Sequence, residues 1–352
     1  AAVAIKDYMT EKSLPGTIRF YGCPAEENAG GKAFMVKAGC FDDCDIALTW
    51  HPAWQNKIIH TGSLANIRVF FTFHGISAHA AGSPHLGRSA LDAVELMNVG
   101  VNYMREHMID DARIHYAVTN TGGTAPNVVQ SEAQVLYAIR APKVSQVKEL
   151  FDRVCKVAQG AALMTETTVD IKQVAAYADY IACEPILERM RVHMDAALPL
   201  EYTADELAYA AQFRDVITDL DGKELKDAAK KCAKLCDDDL TTAPIWNFRA
   251  PDSAMSGSTD VGDVSWVCPT GQFYTVTKAA GTAAHSWQMT AQGKSSIAYK
   301  GMLLAAKIMA ATAYDFLTDP ALVAKAREDW LASLDGETYP GLLPKDAKPE
   351  LW

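Results

Sequence analysis

Between residues 64 and 178 the hydrophobic positions first alternate and then cycle, and the order of the two periods predicts a fold. NIRVFFTFHG (66–75) places apolar residues two apart, as a half-buried strand does. RSALDAVELMNVGVNYMREHM (88–108) repeats them at three and four, the spacing of an amphipathic helix. RIHYAVTNTGG (113–123) and EAQVLYAIRAP (132–142) return to alternation. VSQVKELFDRVCKVAQGAALM (144–164) is helical, and TTVDIKQVAAYA (167–178) is again a strand. The resulting β-α-β-β-α-β order is that of a small open-faced sandwich. It reads as an inserted domain, because the chain on either side has a different texture.

AAVAIKDYM opens in helical register, with Ala1, Ala4, Ile5 and Tyr8 on one face, and the turn Ser13-Leu14-Pro15-Gly16 ends that helix. TIRFYG (17–22) reads as a short buried strand running into CPAEE. GKAFMVKAG (31–39) is a helix closing on Gly39, and DIALTW (45–50) is a second strand running into His51-Pro52. Strand–helix–strand predicts a βαβ unit of a parallel sheet, where ligands sit beyond the carboxyl ends of the strands. Past residue 178, helices are predicted at 184–197, 204–217 and 223–236, followed by the Gly/Ser/Asp-rich loop SAMSGSTDVGD (253–263). FYTVTKAAGT (273–282) is a strand, residues 293–317 form a long helix, and a last helix follows Pro320. The expected fold class is α/β. Residues 1–62 and 179–352 build a mainly parallel sheet with flanking helices, and an α+β, ferredoxin-like domain at 63–178 interrupts it.

Composition narrows the function. The formal net charge of −10 argues against a nucleic acid or an anionic membrane as partner, since both require a basic face. The longest apolar stretch, GMLLAAKIMAATAYDFL, is broken by Lys307 and Asp315 and reads as a core helix. Eight cysteines are scattered without a C-x-x-C pair, the pattern of free thiols in the cytoplasm. Cys232 and Cys236 lie one helical turn apart but lack the further partners that zinc requires. Disorder is expected only near the C-terminus, around Pro340–Pro349.

Candidate chemistry gathers at the predicted strand ends. CPAEENAGG (23–31) sets Glu26 and Glu27 side by side before a glycine pair, while His51 and His285 each follow a strand. Adjacent carboxylates repel unless a positive charge meets them, and a divalent cation is often the largest local charge in a site. A division of labour suits the pair: one carboxylate binds metal, and the other moves a proton of a metal-bound water whose pKa falls toward about 7. Glu and His suit zinc or manganese. Taken singly, Glu-Glu reads as a solvated turn and His51 as a core histidine; the three strand-end positions together argue for a site. His85, His107, His115 and His193 read as surface or structural.

CPAEENAGGK, TWHP, GISAHAAGSPHLGRSALDAV, GGTAPNVV, YAIRAP and GTAAHSW resemble, in order and spacing, the M20-type metallo-amidohydrolase and aminoacylase family over nearly the whole chain. The resemblance implies a metallopeptidase-like catalytic domain interrupted by a lid or dimerization domain where the insert lies. It implies metal-dependent hydrolysis of p-aminobenzoyl-glutamate or a related N-acyl amino acid; a non-catalytic or partner-dependent subunit and a related dipeptidase are the alternatives. Glu26 is similar to the general base, and Glu27, His51 and His285 to metal ligands. His79 is similar to a lid histidine that reaches across a dimer to stabilise an oxyanion. Asn127 and Arg140 match polar residues that hold the substrate's carboxylate, which an arginine fork meets bidentately. Ser258-Thr259-Asp260 matches a substrate-side loop and, from residue chemistry, reads as a helix N-cap with Asp263 behind it. The family's Cys-Gly-His-like element precedes the helix that opens this chain, so the resemblance implies a longer form holding two ions. The implied partners are a small-molecule substrate and a homo- or heterodimer mate bound through the lid.

Overall fold

The computed structural model describes residues 1–27, 29–214, 216, 223–235, 239–254 and 257–349. Helix α1 (Ala2–Lys12) ends where Ser13 turns left-handed and its N–H returns to the Met9 and Thr10 carbonyls. Of its predicted apolar face only Ile5 is buried, and Tyr8 meets Tyr314 edge-on. TIRFYG forms no strand; residues 17–22 are irregular and Phe20 is 84% exposed. A strand needs a ladder partner, and among the described residues none lies beside this segment. Side chains hold it instead. Arg19 pairs with Asp43, and Tyr21 packs on Phe41 and donates to the Cys40 carbonyl at 2.6 Å.

Helix α2 (Gly31–Lys37) and strand β1 (Ala47–Ala53) follow, and KIIHT adds a strand that the pattern does not single out, β2 (Lys57–Thr61). The insert then supplies β3 (Ala65–His74), α3 (Ala90–Met104), β4 (Arg113–Asn120), β5 (Glu132–Ala141), α4 (Val144–Thr165) and β6 (Thr168–Tyr177). Its sheet is antiparallel, in the order β4-β5-β3-β6. Alternation sends Val69, Phe71, Phe73, Val135, Tyr137 and Ile139 to one face, against Met97 of α3 and Val154 of α4. Each such side chain contributes about 1.5–3 kcal/mol on burial. The opposite face carries Arg68, Gln134 and Arg140 and is half-buried.

The rest of the body comprises α5 (Glu184–Ala197), α6 (Ala204–Arg214), α7 (Lys223–Cys232), β7 (Ser253–Ala254), α8 (Val261–Ser265), β8 (Thr270–Val276), α9 (Trp287–Gln292), α10 (Ser296–Thr318) and α11 (Pro320–Leu334). The predicted extensions to 217 and 236 lie outside the described residues, as does Cys236; the seven described cysteines are free. The body sheet runs β1-β8-β2-β7 and is mixed rather than mainly parallel. β1 and β8 are parallel, and β2 runs antiparallel to β8. The cause is the short link at 54–56, since a parallel return needs a crossover of a dozen or more residues. Ile186, Leu187 and Met190 of α5 pack with Phe273, Leu304 and Ile308 beside this sheet. No helix among the described residues is long and apolar enough to cross a membrane.

After α11 the described residues form no helix or strand, yet they dock. Leu342 joins the lid core and its carbonyl accepts from Gln173 Nε2 at 2.7 Å. Lys37 Nζ donates to the carbonyls of Pro344 and Lys345 at 2.9 and 2.7 Å. Asn66 and Tyr177 pair across β3 and β6, so the chain enters and leaves the lid at neighbouring positions.

Candidate active site

Glu26 and Glu27 sit in a turn before α2, not at a strand's end. The N–H groups of Ala29 and Gly30 both donate to the Ala25 carbonyl, at 3.0 and 2.8 Å. The glycine pair permits close approach. A Cβ on Gly30, whose φ is +69°, would stand 2.2 Å from the Tyr177 ring, and one on Gly31 would stand 2.1 Å from the Pro24 carbonyl oxygen. The lid then grips the turn by its main chain. Tyr177 donates to the Glu26 carbonyl at 3.5 Å and Arg68 to the Glu27 carbonyl at 3.3 Å. Both carboxylates stay available. That of Glu26 is half-buried and accepts from the Thr259 hydroxyl at 2.8 Å. That of Glu27 is exposed and lies 3.8 Å from His285 Nε2.

Backbone strain marks the same two loops. Among the described non-glycine residues, Ser13, Ala25, Glu166, His285 and Asp335 have positive φ. Ser13, Glu166 and Asp335 close the C-terminal ends of α1, α4 and α11, where a left-handed residue is ordinary. Ala25 (φ 60°) and His285 (φ 54°) cap no helix. Such residues cost on the order of 1–3 kcal/mol and cluster at functional sites.

His51 lies inside β1, two residues short of its end, and faces Tyr274 of β8 with ring centroids 5.2 Å apart. Its Nδ1 is 2.8 Å from the Pro52 carbonyl. A carbonyl only accepts, so Nδ1 carries the hydrogen and Nε2 keeps its lone pair. Loss of solvation lowers the His51 pKa, the Pro52 carbonyl and the charges of Glu26 and Glu27 oppose this, and the charge of Lys278 adds to it. Lys278 itself is 6% exposed, and burial pushes its pKa down to about 8. Glu27 and His285 therefore come together and His51 feels both glutamates. Among the described residues, no group of three or more His, Cys, Asp or Glu side chains is close enough to hold a metal ion.

The GSTDVGD loop lies behind the turn. Asp260 occupies the N-cap position of α8 but makes no side-chain capping bond. It is fully buried and takes Lys32 instead, accepting from Nζ at 2.8 Å and from the backbone N–H at 2.9 Å. Burial raises its pKa and Lys32 works against that rise. Asp263 is also fully buried; the Tyr339 hydroxyl donates to it at 2.6 Å and the Ala178 N–H at 3.2 Å. Burial pushes Asp263 up to about 7 despite those two donors. Sequence reasoning missed Thr259 as a partner of Glu26, and also Lys32, Tyr177, Arg68 and Lys278. Thr259 and Asp260 at least stood in a loop already singled out; Tyr177 carried no signal, because its role depends on the fit of a ring over Gly30.

The lid residues divide. Ala80 N–H donates to the Asn127 carbonyl at 2.9 Å, placing His79 and Asn127 on paired segments beyond the His74 end of β3. Arg140 lies at the other end, opposite Asn66. Eight strand steps separate the ends, roughly 26 Å, so one chain does not bring Asn127 to Arg140 or His79 to Glu26. His79 Nδ1 accepts from the N–H groups of Ala81 and Gly82 at 3.2 and 2.9 Å, which leaves the hydrogen on Nε2. Arg140 has a buried Nε without a partner; burial and neighbouring Arg68 lower its pKa. Of the histidines read as structural, His193 bonds Asp315 at 2.6 Å between α5 and α10.

Residues 61–163 match the M20 peptidase dimerisation domain. The chain is 44% identical, over 99% of its length, to one of the subunits of the p-aminobenzoyl-glutamate hydrolase of Escherichia coli (strain K12) and spans 74% of that protein. The chain belongs to the M20 peptidase family. Solved structures agree on the M20 fold. The aminobenzoyl-glutamate utilization protein from Klebsiella pneumoniae superposes with a TM-score of 0.59 at 19% identity, over 91% of this chain and 66% of that one. A Bacillus subtilis M20 peptidase, described as dinuclear metal binding, gives 0.52 at 14% identity, over 90% of this chain and 70% of that one.

Proposed function

We propose that this M20 hydrolase cleaves the amide bond of p-aminobenzoyl-glutamate, or of a related N-acyl amino acid, in a metal-dependent reaction. The approach of Glu27 to His285, 3.8 Å apart beside the half-buried Glu26, carries this reading. The donor chemistry, rather than the present spacing, fits zinc or manganese: a carboxylate on Glu27, an imidazole on His285, and as third donor the nitrogen whose lone pair the Pro52 bond leaves open on His51. Glu27, His51 and His285 would hold the ion. When bound, a divalent cation brings the pKa of a coordinated water toward about 7. Glu26, oriented by Thr259, takes the proton of the attacking water and returns it to the leaving amine. Arg140 receives a carboxylate of the substrate.

His79, with hydrogen on Nε2, is set to donate to an oxyanion, and with Asn127 it stands at the far end of the lid. Both therefore serve a site on a second chain, which the dimerisation domain supports. In this reading residues 1–62 and 179–352 form the catalytic body, and 63–178 the lid. Free cysteines fit a cytoplasmic setting. The name of the Escherichia coli relative, a subunit of a hydrolase, favours a second reading, in which this chain works only beside a different polypeptide.

The test is release of p-aminobenzoate by the metal-loaded chain, alone and mixed with a candidate partner polypeptide. E26Q should lose nearly all turnover, at least about a hundredfold, while metal content by atomic absorption stays at the wild-type level. Undiminished hydrolysis by E26Q refutes the role of Glu26. Turnover only in the mixture establishes the partner-dependent reading.

A further inference from the structure

Lys278 is 6% exposed and no described residue supplies it with a counter-charge. A buried ammonium without a partner is unfavourable unless something outside the chain meets it. Its position indicates what that is. β8 ends at Val276 beside Ala53 of β1, and the Thr277 N–H donates to the Ala53 carbonyl at 2.8 Å. Lys278 comes next, at the root of the loop that delivers His285. Its charge reaches the His51 ring, which also feels Glu26 and Glu27. In the reading above, one divalent cation balances those two carboxylates, and the ammonium is left over. Arg140, whose buried Nε meets no acceptor among the described residues, stands on the lid face from which Arg68 and Tyr177 grip the glutamate turn. Lys278 and Arg140, each sheltered from water without a described carboxylate beside it, fit a ligand with two carboxylates.

We infer that Lys278 is a specificity-determining residue that pairs with the side-chain carboxylate of the substrate's amino-acid half, so that the site takes acylated acidic amino acids and rejects neutral or basic ones. The inference rests on the amide-hydrolase reading for the nature of the ligand. Discrimination arises from the cation itself: an uncharged side chain leaves the ammonium unmet, and a basic one adds repulsion.

Binding, rather than turnover, tests this. Calorimetric titrations of p-aminobenzoyl-glutamate and p-aminobenzoyl-glutamine, on metal-loaded full chains carrying E26Q so that neither is consumed, compare the chain that is wild type at Lys278 with K278M and K278R. The wild type should prefer the glutamate compound by at least about tenfold. K278M should bind the two alike, and K278R should keep most of the preference, an outcome that a merely structural role does not produce. K278Q serves if K278M does not fold. A wild type without preference, or without binding to either compound, overturns the inference, as does a preference that survives in K278M and K278Q. Preference intact but no metal-stimulated release of p-aminobenzoate by the chain that keeps Glu26 removes the hydrolase reading and leaves the role of Lys278 standing.

Discussion

A histidine can ligate or donate according to which nitrogen keeps its hydrogen, and the backbone decides this for His51 and His79. The Pro52 carbonyl takes the Nδ1 hydrogen of His51 and frees Nε2 as a lone pair, whereas the Ala81 and Gly82 N–H groups occupy Nδ1 of His79 and leave Nε2 a donor. Identical side chains are thereby fitted for opposite work. Strain separates residues in the same way. Replacing Ala25 by Gly should raise stability by about 1 kcal/mol, because glycine adopts φ near +60° without the Cβ penalty. A melting temperature that falls on A25G would show that the loop does not hold this conformation. At this scale the sequence was legible where residues are adjacent: the Glu-Glu pair, the glycine pair and the two histidines all stand out in the string. Residue types brought in from far away were not, because Thr259 meets Glu26 only through tertiary packing.

Elements were most readable where one face is buried throughout. The lid's six elements follow their hydrophobic periods, since each strand packs one face on helices. The failures have local causes. TIRFYG has the residues of a strand but no neighbour to complete its ladder, and the body sheet turns mixed because a three-residue link cannot carry a parallel return. Helix α8 shows a further cost of burial. A carboxyl raised to about 7 is favoured protonated in the fold, so its contribution is complete below about pH 4, where the unfolded chain is also protonated, and is lost as pH climbs toward 7. Wild-type stability should decline across that window relative to D263N, in which nothing titrates there. Chemical denaturation at pH 4.5 and 7.5 decides it; equal pH slopes in the two proteins would rule out Asp263 as the source.

In the whole molecule, the stretch after α11 fastens the lid to the body through Tyr339, Leu342 and the carbonyls that Lys37 holds. Ending the chain at Gly336 removes one of the two donors to buried Asp263 and uncovers part of the lid core. The expected loss is about 3 kcal/mol, from one buried leucine and one hydrogen bond. Differential scanning calorimetry should show melting lowered by several degrees; an unchanged melting temperature means the tail only rests on the surface. Composition made this tail look disordered, because Tyr339 and Leu342 follow no periodic pattern and its other contacts run through main-chain carbonyls. The pairing of Asn66 with Tyr177 has a different reach. With both crossings at one doorway, about 5 Å wide, the lid hangs on the body like a cassette in a slot. A glycine bridge of a few residues could close the gap after its removal, and a foreign module whose own ends meet could be spliced in its place.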